Sequence, residues 1–161
     1  FDGTYNNESR YVRSLNFTVP SETTRVEIVA TITGHGFQQD DANCAEFCDH
    51  QHHYYMGPHH TYEWHPIVYS NTGCENEISN GVVANQFGSW PYGRAGWCAG
   101  QDVKQWTYDI TSWVDMNGQN NELTYRGLFN GQEYNPTGES GKGGRNIVAE
   151  IWVVFYTNST A

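Results

Sequence analysis

The chain has 161 residues and a formal net charge of −10, with only eight Lys and Arg against eighteen Asp and Glu. Its few cations are scattered, which excludes nucleic acid as a partner, and no run of ~18 apolar residues is present to cross a bilayer. The length suits one domain over residues 1–161 with a genuine core, to which six Trp, eleven Tyr and seven Phe can contribute.

The opening residues, FDGTYNNESR, have neither a charged start nor an apolar run, as expected of a chain whose signal peptide has been removed. In YVRSLNFTVP, Leu15, Phe17 and Val19 alternate with polar residues until Pro20 stops the run, which predicts a strand. RVEIVATIT predicts a second, with Val26, Ile28, Ala30 and Ile32 on one face. TGHGF (33–37) closes it, with glycines around His35 that let backbone approach a ligand closely. Residues 34–60 are too polar and Gly-rich for one core strand and read as a long functional loop entering a strand near its end.

GVVANQF, KQWTYDITSWV, ELTYRGLF and NIVAEIWVVFY are further strand candidates, rich in β-branched and aromatic residues. The last is apolar on both faces apart from Glu150, which predicts a place in the middle of a sheet. Turn clusters such as MNGQNN and NPTGESGKGG lie between them, and no window keeps a helical period. The fold class is therefore all-β, an antiparallel β-sandwich or jelly roll.

The densest chemistry is NCAEFCDHQHHYYMGPHH, residues 43–60. Strand residues two apart share a face, so His50 and His52 would project together and could bind one metal ion. The third ligand would come from His35, Met56, His59, His60 or His65. Imidazoles with a thioether or a further imidazole suit copper; a Cys44, Cys48, His50, His52 set would suit zinc through a very tight chain path. Against either metal stands the reading of a His-rich surface loop bonded to backbone and water.

If Cys44 and Cys48 bridge, Glu46 sits on a rigid knuckle, where a fixed carboxylate could act as base or orient a ligand; otherwise it is a solvated loop carboxylate. Four cysteines, Cys44, Cys48, Cys74 and Cys98, read as two disulfides in an exported chain and lean toward metal in the cytosol. Acceptor sequons at Asn7, Asn16 and Asn158 fit a secreted glycoprotein. In GSWPYGRAGWCAG (88–100), Trp90, Tyr92, Arg94 and Trp97 stand beside Cys98, as a sugar- or peptide-binding wall or as aromatic packing over a disulfide.

LNFTVP…VEIVATITGHGF, then CAEFC, then NQFGSWPYGRAGWCAG resemble, in this order, the C-terminal jelly-roll domain of the peptide-N-glycosidase F family over roughly residues 14–115. The resemblance implies a jelly roll with disulfides Cys44–Cys48 and Cys74–Cys98. It places Glu46 at the family's active-site glutamate, Arg94 at its substrate-contacting arginine and His35 at its active-site histidine. Ala99 stands where the family usually has proline. The family's principal catalytic aspartate belongs to a preceding jelly roll, so this domain alone is not expected to cleave the glycan–asparagine bond.

The same superfamily holds the ascorbate-dependent copper monooxygenases, whose His-x-His copper pair DHQHH resembles through His50 and His52. Their methionine ligand has no counterpart in NIVAEIWVVFY. Three functions follow: a secreted metal-binding domain, most simply for copper, that does redox chemistry with a partner or only binds and delivers metal; a glycan- or peptide-binding module; or a structural subunit that self-assembles or joins a second extracellular domain.

Overall fold

The computed structural model describes residues 2–4, 14–35, 50–64, 73–84, 88–118, 120–129 and 146–158. Among these described residues eight strands run in chain order: β1 (Asp2–Thr4), β2 (Ser14–Phe17), β3 (Thr23–His35), β4 (His50–Met56), β5 (His60–Trp64), β6 (Gln105–Asp109), β7 (Asn121–Phe129) and β8 (Asn146–Thr157). A 3₁₀ helix, Gly73–Asn80, lies between β5 and β6.

The strands form two four-stranded sheets, ordered β1-β8-β3-β6 and β2-β7-β4-β5, with every pair antiparallel. Consecutive strands change sheet at every step except β4 to β5, where a tight hairpin turns at Gly57 with φ +59°. This crossing pattern is that of an eight-stranded jelly roll.

The core follows the strand period. Val26, Ile28, Ala30 and Ile32 of β3 are buried, as their alternation predicts, and meet Tyr54, Met56, Leu123 and Tyr125 of the other sheet. Each fully buried Val or Ile contributes about 1.5–3 kcal/mol relative to exposure. β8 lies between β1 and β3, where its apolar composition placed it. Its outer face is nevertheless open: Val148 is 44% and Trp152 57% exposed.

Three expectations change. GVVANQF forms no strand in its described part: Val82 packs on the Cys74–Cys98 cluster and Val83 N–H donates to Ala99 O, behind the 3₁₀ helix that the helical-period test missed. KQWTYDITSWV stops being a strand at Asp109, because Asp109 Oδ1 accepts the Thr111 N–H at 2.8 Å and turns the chain. Leu15, on the short edge strand β2, is exposed, while Phe17 packs against the core and Val19 lies within it.

Register places the long connections at one end. His35 pairs with Asn146 and His50 with Phe129, and Gln105 and Trp64 lie near the same level. β3, β5 and β7 therefore end, and β4, β6 and β8 begin, at this end of the sandwich. The short connections 18–22, 57–59 and 110–120 close the other.

Candidate binding site at the long-connection end

The best-defined part of this end is the segment carrying Arg94. Arg94 and Trp97 exchange backbone hydrogen bonds at 2.9 and 3.3 Å around a two-residue turn, Ala95–Gly96. Both turn residues have positive φ, +52° and +109°, the conformation that two-residue hairpins favour. Gly suits it freely; Ala95 adopts it at a cost of about 1–2 kcal/mol, so other contacts must hold it there.

Those contacts come from three directions. Gly34 N–H donates to Arg94 O at 2.9 Å, and a Cβ on Gly34 would stand 3.1 Å from the Ala95 methyl. The close approach that TGHGF permits is thus made by the chain's own Arg94–Ala95 backbone. The Cys74–Cys98 disulfide, with Cα atoms 5.7 Å apart, fastens the segment to the 3₁₀ helix, and Trp90 packs against it. The third contact is His52.

His52 is fully buried on the inner face of β4. Its Nε2 lies 3.0 Å from Ala95 O and its Nδ1 2.7 Å from Tyr125 Oη. A carbonyl can only accept, so the proton sits on Nε2, and Nδ1 accepts from the Tyr125 hydroxyl. Gly127 opposite His52 leaves room for the ring, and Tyr125 on β7 reaches it diagonally. No local pattern flags Tyr125; the signal was only a tyrosine two places before a glycine on a facing strand.

Both ring nitrogens of His52 are engaged, so a metal could bind it only by displacing Ala95 O or the Tyr125 hydroxyl. The other ligand candidates are dispersed. Met56 is buried in the core, four residues from His52 or about 13 Å along the strand. His59 lies exposed in the β4–β5 turn, and His60 stacks on Trp113 at 5.5 Å. Among the described residues no group of three His, Cys, Asp or Glu could hold a metal ion. Cys44, Glu46, Cys48 and His65 lie outside the described residues, as does Asn7; Asn16 and Asn158 are exposed.

Arg94, Tyr92 and Trp97 of the expected wall adjoin one another. Arg94 is buried, its guanidinium 5.7 Å over the Trp97 ring, donating to Ser89 Oγ at 3.3 Å and Tyr92 O at 3.5 Å. Trp97 Nε1–H donates to Gln101 O at 2.9 Å, and Tyr92 is exposed beside them. His35 is exposed at the end of β3, its Nε2 2.7 Å from Thr33 Oγ1. Strand alternation puts Thr33 and His35 on the face away from the core, whereas Gly34 faces Arg94–Ala95. His35 and Arg94 thus share an end of the sandwich and not a face of β3.

No helix among the described residues is long and apolar enough to cross a membrane. No curated protein and no solved structure gives a significant match to the chain. The family model described as peptide-N-glycosidase F, C terminal, matches residues 4–154. The chain belongs to the peptide-N-glycosidase F C-terminal family.

Proposed function

We propose that this chain is an extracellular binding module that takes a glycan or glycopeptide at its long-connection end. The observation that carries this reading is that β3, β5 and β7 end, and β4, β6 and β8 begin, at the end of the sandwich where the Arg94–Trp97 hairpin is fixed against Gly34 and His52. A rigid sandwich presenting loops at one end is where recognition concentrates in such folds. Tyr92 offers an exposed aromatic face, and sugars and peptides are both taken by aromatic surfaces with polar groups beside them. Family membership supports a glycan-related partner, and the Cys74–Cys98 disulfide suits an oxidising compartment.

Tryptophan fluorescence titrated with an asparagine-linked glycopeptide, the free glycan and the bare peptide tests the reading. Saturable binding of a glycan-bearing ligand is expected, weakened about fivefold or more by Tyr92→Ala, since an aromatic contact is worth about 1 kcal/mol beyond its area. Trp152→Ala, on the outer face of β8, should bind as the parent does. Binding lost equally in both variants, or none at millimolar ligand, would remove the proposal.

A further inference from the structure

The space between the sheets carries a continuous series of aromatic rings from one end of the sandwich to the other. It starts at His52, whose ring stacks on Tyr125 with centroids 5.9 Å apart. Tyr125 meets Tyr54 at 5.5 Å, and Tyr54 meets Tyr62 at 6.5 Å. Tyr62 stacks across the gap on Tyr108 of the other sheet at 3.6 Å, and Tyr108 meets Trp113 at 5.4 Å. Trp113 and His60, stacked at 5.5 Å, are only partly buried, so the series surfaces at the short-connection end. Its buried end lies one hydrogen bond from the Arg94 hairpin, through His52 and Ala95 O.

Tyr54 and Tyr125, both buried, differ in one respect. The Tyr54 hydroxyl has no hydrogen-bond partner among the described residues, whereas the Tyr125 hydroxyl lies 2.7 Å from His52 Nδ1. That nitrogen is an acceptor, because Ala95 O fixes the ring proton on Nε2. Taking an electron from a phenol turns its hydroxyl into a strong acid. An oxidised tyrosine therefore persists where a base at hydrogen-bond distance receives the proton. Tyr54 lacks such a base and can only pass the charge on; Tyr125 has one.

We propose that Tyr125 is a redox-active tyrosine, oxidised through this series of rings by an outer-sphere one-electron oxidant at the Trp113–His60 surface. The Tyr125 O–H bond breaks, an N–H bond forms at His52 Nδ1, and the electron leaves along the rings to reduce the oxidant by one unit. Tyr125 is left as a neutral phenoxyl radical beside a His52 imidazolium. The new Nδ1–H donates to the phenoxyl oxygen, and Nε2–H still donates to Ala95 O. Return of one electron sends the proton back to the phenol. Electron transfer falls steeply with the gap between rings, so a series of short steps carries the charge where one long jump would not. The inference is independent of glycan binding, because no ring of the series belongs to the Arg94–Trp97 hairpin.

Photogenerated tris(bipyridine)ruthenium(III), a cation that the chain's net charge of −10 attracts, is the oxidant for the test. Flash oxidation and freeze-quenching, read by high-field electron paramagnetic resonance, should show a tyrosyl radical. Its g-value along the C–O bond should be lowered, the signature of a phenoxyl oxygen that accepts a hydrogen bond from a cation. Tyr125→Phe should lose this signal. Tyr54→Phe removes only an unpaired hydroxyl and should fold at least as stably as the parent. It also removes a ring that can hold the charge, so the Tyr125 radical should form severalfold more slowly. The same signal in Tyr125→Phe, equal formation rates in the parent and Tyr54→Phe, or a parent that yields no radical with the lowered g-value would each overturn the proposal. Rings that serve only to fill the core predict that last result.

Discussion

The two ends of the sandwich are held in different ways. At the short-connection end the turns carry local bonds, beside the longer ties of Ile110 and Thr111 to Val26. Asp109 caps Thr111, and Asp115 Oδ1 accepts the Asn117 N–H at 3.0 Å. The buried Asn121 side chain accepts from Asp115 N at 2.8 Å and donates to Asp115 O at 3.1 Å. At the long-connection end the ties reach far along the chain: Cys74 to Cys98, His52 to Ala95, and Tyr125 to His52 across 73 positions. Local bonds form with the turn itself, whereas the distant clamps join segments far apart in the chain. The first arrangement shapes a turn as it forms, and the second fixes a hairpin against strands that come from elsewhere in the chain.

Breaking the largest clamp tests this contrast most severely. Cys74→Ser/Cys98→Ser should cost about 3 kcal/mol in denaturant unfolding, since the bridge closes a 24-residue separation. Amide exchange should accelerate around 88–101 before it does in β3 or β7. Uniform acceleration through both sheets would mean that the segment is integral to the core.

His52→Phe removes the ring nitrogens that bond Ala95 O and the Tyr125 hydroxyl. The expected loss is about 2–3 kcal/mol, the cost of breaking two buried hydrogen bonds. Asn121→Ala, the corresponding lesion at the other end, should cost about 1–3 kcal/mol. Its effect should reach stability without altering ligand titrations, whereas His52→Phe should weaken both. Indistinguishable ligand binding in the two variants would collapse the distinction between the ends.

The smallest effect is electrostatic. The side-chain and backbone bonds from Thr111 hold the Asp109 carboxyl below its ordinary carboxylate value. A depressed carboxyl stabilises the fold above its unfolded pKa, and that contribution fades as pH falls through the folded value, below about pH 4. The group is exposed, so the loss is slight. Thermal melts should show a shallower acid decline in Asp109→Asn than in the parent; identical slopes would remove Asp109 from the account.

Legibility in the sequence divides along the same line. Val26 to Ile32 on β3 and the doubly apolar β8 state their places through period and composition, and the two sheets follow from them. GVVANQF has strand composition, yet Val82 and Val83 answer to a disulfide and to Ala99, partners that no window contains. HQH has the spacing of a ligand pair, and period two did put His52 on one inner face. What that face held, a carbonyl from one side and a phenol from the other, depended on residues 43 and 73 positions away. Arg94 and Trp97 became visible through family resemblance, and their stacking and burial through the structure.

The long-connection end, clamped at Arg94–Trp97, is the proposed recognition surface. A titration of the labelled chain with an asparagine-linked glycopeptide, read by amide NMR shifts, tests it most directly. Saturable shifts concentrated at 34–35 and 89–98 are expected, with residues 57–59 and 110–118 unmoved. Shifts centred on the short turns or on the outer face of β8, or no shifts at millimolar ligand, would contradict it.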